Sequence, residues 1–197
     1  MTRKRYKRYI TCIVVCMMCF LFVIPQASAF VLYGYKLKDG ASAFKFYIDS
    51  SAMEYKDSIT NGYQYWNGKS SKVSISRTTT KSASRCDSYW DDHHFGPGYD
   101  NNFAGTEHLL NNRQTNPREN NWFWCKVYYN PKLYKYENLG GYSYTVRKGV
   151  AAHEFGHVLG LAHTSTKSSL MCQYGDGRTV QTPQQDDIDG VRYLYGR

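Results

Sequence analysis

His153 and His157 stand four residues apart in the run HEFGHVLGLAH, with Glu154 beside the first and Gly160 and His163 following at intervals of three. On a helix, residues four apart lie one above the other on the same face. Two imidazoles in this spacing can therefore bind one metal ion. The helix must then stop, because continuing it would carry the next residues away. Gly160 suits that stop, since glycine readily takes the left-handed conformation that ends a helix. The turn it makes can return His163 as a third imidazole. Three neutral His leave the fourth position of a tetrahedral Zn²⁺ open for water, which is the arrangement of a catalytic rather than a structural zinc. Glu154, next to a ligand, is placed to act as general base on that water. The competing reading, an amphipathic helix that merely happens to be rich in His, is a costly way to assemble these five positions.

The elements that must hold this run are partly legible. FKFYID (Phe44–Asp49) alternates apolar and polar residues and predicts a strand. Ser50 or Ser51 then caps a helix from Ala52 to Trp66, with Met53, Ile59, Tyr63 and Trp66 on its apolar face. KVSISR (Lys72–Arg77) predicts a second strand, and NWFWCKVYYN (Asn121–Asn130) is strongly β-forming. The segment 78–121 between them is rich in Gly, Asn and Asp, and predicts loops with at most one short strand. From Thr145 the period turns helical, with Val146, Val150, Glu154 and His157 on one stripe and Gly160 closing it. A last helix runs to Tyr195, with Thr182 as N-cap, Pro183 in the first turn and Gln185 three after the cap.

The beginning of the chain reads as a secretory signal peptide. Residues 2–9 carry five positive charges, Ile10 to Ile24 are apolar, and Ala27 and Ala29 have the small-residue spacing of a cleavage site. An uncleaved anchor is the alternative, but the apolar run is short of the roughly 20 residues a span needs. Residues 1–29 are thus expected to be the signal and 30–197 one secreted, extracellular domain. Without those five basic residues, 20 of the 25 Lys and Arg remain against 16 Asp and Glu, a mild net charge of +4. This argues against a nucleic-acid role, and it fits some affinity for acidic surfaces. Cys12, Cys16 and Cys19 leave with the signal, and Cys86, Cys125 and Cys172 stay. Three thiols allow at most one internal disulfide, and three buried reduced cysteines are the other possibility.

HEFGHVLGLAH followed by SSLMCQYG (Ser168–Gly175) resembles the metzincin pattern of a three-His zinc motif and a Met-turn. The closing QQDDIDGVRYLYG (Gln184–Gly196), the early YGYKLKDG and the FKFYID-to-YWN stretch are similar to matrixins, the matrix-metallopeptidase group. The resemblance implies an α+β zincin fold: a twisted, mostly parallel sheet above the active-site helix, then a Met-turn and a C-terminal helix. By matching position it implies His153, His157 and His163 as zinc ligands, Glu154 as the catalytic acid/base and Met171 as the apolar floor under the metal. It also implies that an aspartate among Asp186, Asp187 and Asp189 can pair with a new N-terminal ammonium. On residue chemistry alone, these three cap the helix and meet its dipole. The chain departs from the family in three places. SRCD (Ser84–Asp87) lacks the switch sequence of a family propeptide, so no latency is expected. MCQ stands where the family has MYP, so pocket specificity does not transfer. His93, His94 and His108 do not have the spacing of a second zinc site and read as polar loop residues. Asp100-Asn101-Asn102 and Asp176-Gly177 read first as turns and, in the alternative, as calcium ligands.

The function expected is a zinc endopeptidase acting on a protein or peptide substrate, as a monomer without stable membrane association. A zinc hydrolase of cell-wall peptides or another amide has the same metal chemistry and a different cleft. A non-catalytic binding module on this scaffold would typically have lost the Glu or a ligand, and this chain keeps all of them.

Overall fold

The computed structural model describes residues 30–91, 95, 102–131 and 143–197. The expected signal sequence, His93, His94, Asp100 and Asn101 lie outside the described residues. Strand β1 (Ala41–Ile48) alternates as expected, with Phe44, Phe46 and Ile48 turned into the core. The helix predicted over 52–66 divides into a 3-10 segment, Ser50–Tyr55, and helix α1, Lys56–Gln64. Its cap is Asp49, whose carboxylate accepts from the Ser51 amide at 3.0 Å, rather than a serine. The change of winding puts Met53 on the surface, while Ile59, Tyr63 and Trp66 are fully buried.

Strand β2 (Val73–Arg77) follows as predicted. The segment 78–121 departs from expectation. Its described residues contain three strands, β3 (Cys86–Trp90), β4 (Ala104–Leu110) and the short β5 (Arg113–Gln114). β3 escapes an apolar-pattern reading because Asp87 and Ser88 are buried polar residues. Ser88 is satisfied by the Tyr63 hydroxyl at 2.8 Å, and Asp87 accepts from the Tyr89 hydroxyl at 3.1 Å. Strand β6 (Trp124–Tyr129) completes a six-stranded sheet of order β2-β1-β3-β6-β4-β5. The pairs β1–β2, β1–β3 and β3–β6 are parallel, and β4 runs antiparallel to β6 and β5.

Helix α2 (Tyr144–Leu159) packs against α1 and crosses beneath the sheet. Its contact with α1 is so close that a Cβ built at Gly62 would lie 2.5 Å from the Lys148 carbonyl oxygen. Phe155 meets Phe44 and Tyr63 at ring-centroid distances of 5.4 and 4.5 Å, joining helix to sheet. Gly160 ends the helix at φ 108°, the left-handed geometry foreseen for it. The last helix, α3 (Gln185–Tyr195), begins two residues later than expected. Its capping box pairs Gln184 with Asp187 rather than Thr182 with Gln185. Cys86, Cys125 and Cys172 are free and buried, although Cys86 and Cys125 face each other across the β3–β6 ladder.

Candidate active site

Helix α2 carries His153 and His157 one turn apart, both buried. His163 arrives from the turn after Gly160, and two bridges to the start of the described chain fix its path. The Tyr33 amide donates to the Gly160 carbonyl at 3.1 Å, and the Ala162 amide donates to the Val31 carbonyl at 2.8 Å. The three Nε2 atoms lie 3.0, 3.1 and 3.2 Å from one another. Hydrogen bonds among them are not the explanation. His153 Nδ1–H donates to the Leu170 carbonyl at 2.8 Å, and His157 Nδ1–H donates to the Leu161 carbonyl at 2.8 Å. A carbonyl has no proton to give, so both imidazoles carry theirs on Nδ1 when neutral. Burial pushes the pKa of both well down, which keeps them neutral. Their Nε2 lone pairs therefore face His163 and each other, an arrangement that repels. A cation relieves that repulsion. Nitrogens bound about 2.0–2.1 Å from a tetrahedral Zn²⁺ are roughly 3.3 Å apart, close to the spacing seen. The cluster fits a zinc site.

Glu154 is buried beside this cluster, and its Oε2 accepts from the Thr106 hydroxyl at 2.7 Å. Burial pushes its pKa up to about 7, against the lowering influence of the Thr106 bond and the Arg178 charge. The cluster and Glu154 open onto a cavity of about 420 Å³ that also touches Gly105 and Thr106 of strand β4, Tyr33, Tyr174 and Arg178.

Met171 lies below the helix. A Cβ built at Gly156 would meet its Sδ at 2.3 Å, so the thioether packs where only glycine leaves room. The turn carrying it hangs on Asp187. This buried carboxylate accepts from the amides of Leu170 (2.9 Å), Met171 (3.2 Å) and Gln184 (2.8 Å) and from the Ser169 hydroxyl (2.5 Å). Of the three acidic residues at the start of α3, Asp187 thus caps the helix as expected but is buried, and it anchors the Met-turn as well. His108 also departs from expectation. It is a buried residue of strand β4, not a loop residue, and its Nε2 donates to the His157 carbonyl at 3.0 Å. Burial pushes its pKa down to about 4. Asp176 and Gly177 form a turn, with Gly177 at φ 89°.

Spacing on one helix revealed the His and Glu residues. Thr106, Asp187 and Arg178 escaped it, because each reaches the site from a distant element. The signals for them were faint: a period of two in Ala104, Thr106 and His108, and one acid among several in QQDDIDG.

The matrixin (M10) peptidase pattern matches residues 58–196, most of the chain, and the chain belongs to this family of metallopeptidases. It is 51% identical over 51 residues to matrix metalloproteinase-18 of Xenopus laevis, a match covering 24% of this chain and 11% of that protein. It is 52% identical over 48 residues to the hatching enzyme of Paracentrotus lividus, covering 24% and 8%. It is also 50% identical over 50 residues to human neutrophil collagenase, covering 24% and 10%. The matched stretch is therefore about a tenth of each relative's length. Among solved structures, myroilysin aligns over 89% of this chain and 97% of its own, with a TM-score of 0.51 and 12% identity, a likeness of fold.

Proposed function

We propose that this protein is a secreted zinc-dependent endopeptidase that cleaves peptide bonds of extracellular proteins. The observation carrying this reading is the convergence of three imidazole lone pairs beside a buried carboxylate, at the wall of an open cleft. His153, His157 and His163 would hold the ion. Zinc, when bound there, supplies the charge that acidifies water and polarises a carbonyl. Glu154 takes the proton of the attacking water and passes it to the leaving amine. Thr106 holds Oε2 of that carboxylate, which leaves Oε1 to do the work. Strand β4 lines the cleft, so an extended peptide can lie along it as an added strand. Secretion rests on the charged, apolar and small-residue order of residues 1–29. Cleavage after Ala29 would leave residues 30–197 as a monomeric extracellular domain.

Glu154→Gln tests the chemistry with the least change of shape. Turnover of casein should fall by about 10³-fold or more, with zinc content by atomic absorption unchanged. A variant with full zinc and full activity would remove Glu154 from the mechanism.

A further inference from the structure

Arg178 is a buried cation that the proposed chemistry does not use. It is 6% exposed and lines the cleft beside the His cluster. Its Nη1 donates to the Leu170 carbonyl at 3.2 Å, the same oxygen that takes the His153 Nδ1 proton. The guanidinium is thereby held next to a candidate ligand. Its Nη2 donates to the neutral Gln181 Oε1 at 3.3 Å, and its Nε is buried with no acceptor. A guanidinium offers five N–H donors, and two are matched here.

The nearby Glu154 and Asp187 carboxylates favour its charge through space but make no hydrogen bond to it among the described residues. Asp187 is filled by its four donors, and Glu154 has Oε2 held by Thr106 and Oε1 assigned to the water. Asp176 is exposed at the rim, where solvent screens it. Among the described residues, none of the three forms an ion pair with Arg178. Burial presses the Arg178 pKa down to about 10, so it remains a cation at neutral pH. A charge kept in a substrate cleft with spare donors is a binding element awaiting an anion, because a carboxylate can take two parallel N–H groups of a guanidinium.

We propose that Arg178 makes this cleft select peptides carrying an aspartate or glutamate side chain next to the scissile bond. The inference rests on the peptidase reading and names its substrate class.

The test is cleavage of a randomised peptide pool by the zinc-loaded protein, with product ends sequenced by mass spectrometry. Glu and Asp should be enriched about tenfold over Leu at one of the two positions flanking the cut. In Arg178→Gln, the ratio of kcat/KM on a Glu peptide to that on a matched Leu peptide should fall about 100-fold, mostly through KM. Arg178→Lys should keep part of the acidic preference, since it keeps the charge. Efficient cleavage by the wild type with Leu or Phe favoured and no acidic enrichment would overturn the inference and leave the peptidase reading intact. That arm needs no variant, so a folding defect in Arg178→Gln does not weaken it. Failure to cleave any peptide would overturn both.

Discussion

The Leu170 carbonyl oxygen receives His153 Nδ1–H and Arg178 Nη1 together, while the Met171 amide of the same peptide unit is held by Asp187 at 3.2 Å. One peptide unit of the Met-turn thus fixes the tautomer of one candidate ligand and is itself fixed by a buried acid. Asp187→Asn replaces an oxygen that accepts with an NH₂ that cannot, and strands amides in the interior. Loss of buried hydrogen bonds of this kind costs about 2–4 kcal/mol. Urea unfolding should show that loss, and equilibrium dialysis should show weaker zinc binding as His153 loosens. Unchanged stability would mean that the turn is held by its apolar packing alone. None of this is visible in the run HEFGHVLGLAH. The candidate ligands were legible because four-residue spacing is geometry the helix imposes on neighbours in sequence. Asp187 was readable only as one acid near a helix start. Its worth comes from amides sixteen and seventeen residues away, and a local pattern has no access to that distance.

At the scale of the element, the C-terminal end of α2 is closed on every side. A helix leaves its last four carbonyls without partners. Here the Gly156 carbonyl accepts from the Leu161 amide, and the His157 carbonyl accepts from His108 Nε2. Val158 accepts from the Trp122 indole at 3.2 Å, and Leu159 from the Tyr195 hydroxyl at 2.8 Å. Gly160 then makes the reversal that delivers His163. An alanine there is strained at φ 108°, and its Cβ would stand 2.9 Å from Leu194 Cδ1. Gly160→Ala should cost about 2 kcal/mol and lower zinc affinity, since relief of strain displaces His163. Calorimetry together with a zinc titration would check both, and normal affinity with normal stability would contradict the account. The helix and its stop were foreseen from sequence. Of the strands of 78–121 at most one was, and β3 was hidden because buried Asp87 and Ser88 mask the apolar pattern that betrays a strand.

At the scale of the molecule, a parallel group of strands roofs the helix that bears two candidate ligands, while β4 lines the cleft and supplies Thr106 and His108. Zinc held by the three imidazoles would bind only the folded arrangement, so its removal should lower stability by mass action. At a thousandfold excess over Kd this is about 4 kcal/mol, or a fall in Tm of about 10 °C for a domain of this size. Differential scanning calorimetry with and without a chelator should show it. Identical melting curves would mean that the three imidazoles do not form a metal site.

The Tyr195 hydroxyl on the Leu159 carbonyl has a consequence in time. Synthesis runs from the N-terminus, so the ribosome releases the ligand helix well before the residue that closes its end. Until α3 emerges, Leu159 keeps a bare carbonyl, and the Leu170 and Met171 amides lack Asp187. The nascent chain therefore holds its full set of imidazoles before it holds them still, and the candidate site is the last thing the chain completes.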